Sequence, residues 1–176
     1  MAVPDPRLET LSTAAKSKEI IPTRLTFVDI AGLVKGASQG EGLGNQFLAN
    51  IREVDAVAYV LRCFEDSDIV HVAGKIDPLA DAEIVETELM LADLDSLEKR
   101  VTAAEKKAKG GDKEAKQLVE LMNIALELLR DGKPARLAVK QGKISDDDMK
   151  AWKGLNLLTS QPVLYVCNVE KASAAN

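Results

Sequence analysis

Two runs of apolar residues at alternating three- and four-residue steps limit the fold more than any other feature of these 176 residues. Leu94, Leu97, Val101, Ala104 and Ala108 form the first run, and Leu118, Leu121, Ala125 and Leu128 form the second, after the break "KGGDKE". That period buries one stripe of a helix and has no place in a strand. Two such seams joined at Gly110-Gly111-Asp112 predict an antiparallel helical hairpin of coiled-coil type, each seam facing the other. Glu98, Lys99, Arg100, Lys106, Lys107 and Lys109 lie off the seam and are its expected solvated faces. Any such hairpin needs charged faces, so "KRVTAAEKKAKGG" is by itself weak evidence for nucleic-acid binding.

The flanking sequence has a different period. "RLTFVDI" (24–30), "AVAYVLRCF" (56–64) and "PVLYVCNV" (162–169) are continuous apolar, β-branched runs of strand length. A helix is predicted between the first two, from Gly44 to Val54, and another over about Pro6 to Lys16. Strand, glycine-rich turn, helix and strand make a right-handed βαβ unit of a parallel sheet, in which all three runs are expected to be buried strands. The expected fold is therefore α/β: a mainly parallel sheet over 1–83, a helical insertion over 84–158, and a return to the sheet over 159–176.

A formal charge of −5 gives no global reason to bind nucleic acid or anionic lipid. Cys63 and Cys167, each in an apolar run, are expected to be buried reduced thiols rather than a disulfide or metal site. The opening "MAVPDPRLETLS" has neither a basic segment nor an apolar stretch, and no run approaches the roughly 20 apolar residues that span a bilayer. A cytoplasmic protein without a membrane partner is expected.

The chemistry concentrates in "DIAGLVKGASQGEGLGNQFL" (29–48). A carboxylate at the C-terminal edge of a parallel strand, followed by a glycine-bearing loop and a helix, stands where open α/β sheets bind ligands. Asp29-Ile30-Ala31-Gly32 has the D-x-x-G spacing in which the aspartate holds Mg²⁺ and the glycine amide approaches a γ-phosphate. Gly36, Gly40, Gly42 and Gly44 then predict a loop able to order around a phosphate, or simply a long connector. The phosphate-cradling G-x-x-x-x-G-K-[ST] occurs nowhere in the sequence.

"FVDIAGLVKGASQGEGLGNQFLANIREVDAVAYVLRCFEDSDIVHVAGKIDP", with "ADLDSLEKR" and "AKGGDKEAK", closely resembles the YchF/Obg-like ATPases, a family of P-loop proteins. The similarity runs over nearly the whole chain and looks like that to an internal stretch, between a Walker A loop upstream and a TGS domain downstream. The resemblance implies a partial P-loop NTPase core interrupted by a coiled coil, ATP preferred over GTP, Mg²⁺, and association with the ribosome or its RNA. It assigns Asp29 to the metal, Gly32 to the γ-phosphate, and Asn168 with Val169 to the nucleotide base. Leu33 occupies the position where many GTPases carry a water-orienting glutamine, so a polar catalytic group must come from elsewhere, and His71 matches a family histidine near the active site. The family's N-x-x-E becomes Asn168-Val169-Glu170-Lys171 here, with Lys171 in the glutamate position. The chain alone is expected to be catalytically inactive. Two alternatives are a nucleotide-independent module binding ribosome, RNA or protein, and an Obg-type GTPase, which the missing N-K-x-D disfavours.

Overall fold

The computed structural model describes residues 1–30, 43–66, 75–170 and 174. They belong to two compact units, Met1–Ala31 and Gly32–Asn176.

In the first unit, helix α1 (Arg7–Ala15) follows Pro6 and ends at Lys16, whose φ of 50° is left-handed. The Asp5 carboxylate clasps the Arg7 guanidinium at 2.6–3.1 Å. The predicted strand 24–30 is not formed. One antiparallel bridge joins Ala2 to Arg24, and the hydrogen bonding ends with Leu25, whose N–H donates to the Met1 carbonyl at 2.8 Å. An apolar run becomes a strand only where a neighbouring backbone takes up its N–H and C=O groups. Residues 1–3 offer such a neighbour for a single step, and Phe27 and Val28 are left 70% and 60% exposed.

The second unit begins with α2 (Leu43–Arg52), close to the predicted helix, and β1 (Val57–Arg62). Helix α3 (Pro78–Lys109) is 32 residues long and starts six residues before the predicted insertion at 84. Its start is written in the chemistry of Asp77 and Pro78. The Asp77 carboxylate accepts the Ala80 amide at 3.1 Å and the Lys75 ammonium at 3.2 Å, which hold its carboxyl below the usual range. Helix α4 (Lys113–Arg130) follows a turn in which Gly111 adopts φ of 93° and Asp112 caps the Ala115 amide at 3.0 Å.

The two long helices pack on each other through Leu97, Ala104, Leu121, Ala125 and Leu128, all buried, with Leu94, Val101 and Leu118 beside them. Two short helices, α5 (Arg136–Lys140) and α6 (Met149–Gly154), complete the same core with Ala138, Trp152, Leu155 and Leu157. Arg100, expected on a solvated face, turns inward and donates to the Leu155 carbonyl at 2.8 Å.

A 3₁₀ turn (Leu158–Ser160) leads into β2 (Val163–Asn168), which pairs in parallel with β1. The described sheet has these two strands rather than three. β2 is also not buried as predicted: Leu164 is 63% and Tyr165 51% exposed. The expected burial is missing because two strands alone cover few of each other's side chains. Among the described residues no helix is long and apolar enough to cross a membrane.

Candidate functional site

The C-terminal edge of the β1–β2 pair is where a parallel sheet presents ligand-binding groups. The strands run in register from Val57↔Val163 to Arg62↔Asn168, so both reach this edge together. One further hydrogen bond, from the Cys63 amide to the Asn168 carbonyl at 2.8 Å, extends the ladder past β1. Asn168 ends exposed, with Val169 half-buried behind it.

Arg62 organises the segment leaving β1. Its Nε donates to the Phe64 carbonyl at 3.1 Å, its Nη2 donates to the Asp66 carbonyl at 3.1 Å, and the guanidinium lies 5.0 Å from the centre of the Phe64 ring. Cation and ring thus fix the first turn of the connection that leads towards His71. Sequence reasoning passed over this role, although a charged residue closing an apolar strand in "VLRCF" was its signal.

Cys63 is half-buried and Cys167 exposed, both free thiols, so neither cysteine is buried as expected. Burial, and then the neighbouring Cys167 thiol, push the Cys63 thiol above its ordinary pKa.

Of the residues assigned from the resemblance, Asn168 and Val169 stand together at this edge. Asp29 lies in the first unit and is exposed. Gly32, Leu33, His71 and Lys171, and the glycines at 36, 40 and 42, lie outside the described residues. Among the described residues no three His, Cys, Asp or Glu side chains gather into a metal cluster.

Deeper in the unit two polar contacts fasten the sheet and its return to the helices. Tyr59 of β1 donates to Glu86 Oε2 at 3.3 Å, and Arg136 of α5 donates to Glu86 Oε1 at 2.7 Å. Burial and then the Glu86 carboxylate push the Tyr59 phenol upwards, which keeps it a donor. Asp93 of α3 receives the Leu158 and Thr159 amides just before β2 begins. Neither contact was foreseen, since each joins residues far apart in sequence with no local pattern. A groove of about 670 Å³ opens at the opposite, N-terminal end of the strands, beside Asp55, Trp152, Lys153 and Pro162, away from Asn168.

The family model described as "50S ribosome-binding GTPase" matches residues 7–169. The chain is 50% identical over 174 residues to a protein of Haemophilus influenzae named "Ribosome-binding ATPase YchF", covering 99% of this chain and 47% of that one. The protein of the same name from Bacillus subtilis is 46% identical, with 99% and 46% covered. The chain thus spans about half the length of the curated relatives it matches. Among solved structures, that of the Schizosaccharomyces pombe YchF GTPase is similar with a TM-score of 0.73 at 36% identity, over 98% of this chain and 46% of that one. A two-stranded parallel sheet interrupted by helices, a family model over residues 7–169, and similarity to YchF proteins over 98–99% of this chain agree: the chain belongs to the 50S ribosome-binding GTPase family, in its YchF group.

Proposed function

We propose that this chain is the middle of a regulatory nucleoside triphosphatase that works at the ribosome. Residues 1–83 and 159–176 would belong to the nucleotide-binding core, and 84–158 to an inserted coiled-coil hairpin that engages the partner, ribosome or ribosomal RNA. The observation that carries the reading is the position of Asn168, exposed at the C-terminal end of a strand whose parallel neighbour stops in register with it. An amide there can donate to and accept from the edge of a nucleotide base, with Val169 lining the same turn.

Within this reading the roles that the resemblance implies are kept: Asp29 would hold Mg²⁺, Gly32 would serve the γ-phosphate, Leu33 would exclude water, and His71 would supply the polar group for catalysis. Mg²⁺ would neutralise charge on the phosphates. The base itself is contested by the relatives' names, which say ATPase for the bacterial proteins and GTPase for the Schizosaccharomyces pombe one. We favour ATP, because no aspartate follows Asn168 at the spacing that accepts guanine's paired donors. The chain alone lacks the phosphate-cradling loop in its sequence, so it should not hydrolyse ATP above the buffer rate.

Competition titration of ATP and GTP on the full-length protein tests the reading. Tighter ATP binding by about tenfold, or roughly 1.4 kcal/mol, is expected. Tighter GTP binding would favour the Obg-type GTPase instead. A second reading, an interaction module indifferent to nucleotide, draws support from the helices' own core. Ribosome binding unchanged by nucleotide would favour it.

A further inference from the structure

Leu61 and Cys167 are register partners on adjacent parallel strands. Cys63 lies two residues beyond Leu61, hence on the same side of the sheet, one diagonal step from Cys167. Its amide is bonded to the carbonyl of Asn168, the residue next to Cys167. Cys167 is exposed and Cys63 only half-buried, so small reagents reach the pair. Each thiol lies in the other's immediate surroundings, as the upward displacement of Cys63 by Cys167 also reflects.

We propose that Cys63 and Cys167 are a dithiol modification site, which a low-molecular-weight disulfide oxidises to an intramolecular bond across the ends of β1 and β2. The thiolate of Cys167, the more accessible, attacks one sulfur of the reagent. A mixed disulfide forms and one small thiolate leaves. Cys63 then gives up its proton and attacks the Cys167 sulfur, expelling the second small thiolate. Two protein sulfurs are oxidised, the reagent's disulfide is reduced to two thiols, and the protons lost by the cysteines balance those gained by the leaving groups. Proximity makes the second step intramolecular, which favours closure over accumulation of the mixed disulfide.

Closure also moves the edge. Strand spacing and rise place such a diagonal pair about 8 Å apart at Cα, whereas a disulfide spans roughly 4.4–6.8 Å. The two strand ends must therefore shift, and a bond formed at the cost of strain is readily reduced again. Asn168 shares both the strand and the last ladder hydrogen bond, so it shifts with them. This consequence rests on the reading of Asn168 as a base-contacting residue: oxidation then weakens nucleotide binding.

The site is tested by incubating the chain with oxidised glutathione, alkylating free thiols with iodoacetamide, and mapping peptides without reduction. A Cys63–Cys167 linked peptide that disappears with dithiothreitol is expected, and Cys167→Ser should leave Cys63 alkylated. Glutathione retained on Cys167 with Cys63 still alkylated, or disulfides only between two copies of the chain, would overturn the site. Titration of a fluorescent ATP analogue against reduced and oxidised full-length protein tests the consequence. About tenfold weaker binding by the oxidised form is expected, within the usual range of coupling between sites, and equal affinity would overturn the coupling. Failure of the reduced protein to bind nucleotide would instead count against the nucleotide reading, while the linked peptide still decides the dithiol.

Discussion

Asp93 holds Thr159 twice: Oδ2 accepts the threonine's backbone N–H at 2.8 Å and its hydroxyl at 2.7 Å. The carboxylate is 1% exposed, and its Oδ1 accepts the Leu158 amide at 2.8 Å. The Thr159 hydroxyl in turn accepts the Ala135 amide at 3.1 Å. One side chain in the middle of α3 thereby satisfies the turn that returns the chain to β2. Asp93→Ala should destabilise the chain by about 1–3 kcal/mol, the cost of leaving buried donors without acceptors, read by urea denaturation.

The pH dependence of the same contact has a definite sign. Burial raises the Asp93 pKa against the opposing pull of its three donors. A folded state that holds a proton more tightly than the unfolded chain is favoured at low pH, and that contribution fades as pH rises through the folded value. The difference in stability between wild type and Asp93→Asn, which has no ionisable group here, should therefore change with pH above the ordinary carboxylate range. A difference independent of pH from 4 to 8, a range of about four units above the normal carboxylate value, would contradict it.

Gly111, in the turn between α3 and α4, and Gly154, in α6, are glycines of two kinds. Gly111 has φ of 93°, and Gly154 sits in α6 without a positive φ and with open space where a Cβ would go. Gly111→Ala should cost about 1–2 kcal/mol, because a Cβ is disfavoured at that φ even with no neighbour to strike. Gly154→Ala should stabilise by about 0.5–1 kcal/mol through reduced freedom of the unfolded chain. Thermal melts of the two variants should move in opposite directions.

The helices were legible where a long apolar period existed, and illegible where it did not. Leu97, Ala104, Leu121 and Ala125 announced their burial by spacing alone, yet six of the fourteen buried residues of the core they enter come later, among them Trp152, Leu155 and Leu157. Helices of five and six residues are too short to display a period. Strand runs at 56–64 and 162–169 were equally plain, whereas the failure at 24–30 could not be read, since pairing depends on which backbone lies alongside. Asn168 was assigned through family likeness, and its place at the edge follows from the β1–β2 register.

That shared core changes what the minimal helical piece should be. A peptide covering 84–131 carries both seams but lacks Trp152, Leu155 and Leu157, which are 3%, 0% and 2% exposed in the chain. It should be only partly helical and melt broadly, while a piece spanning 78–160 should unfold cooperatively. Circular dichroism of the two decides it. Equal helicity and equally sharp melts would mean that the paired helices owe nothing to α5 and α6.

Hydrolysis separates the two residues assigned to catalysis by resemblance. In the full-length protein, ATP turnover should survive Leu33→Ala better than His71→Ala. A leucine can exclude water or shape a loop, but it cannot orient or polarise an attacking water molecule. An imidazole can do both when brought within hydrogen-bond reach, and loss of such a group typically lowers the rate by about 10²–10⁴-fold. Nucleotide affinity must be measured for both variants, so that weakened binding is not counted as weakened chemistry. Parental turnover by His71→Ala would make the histidine structural.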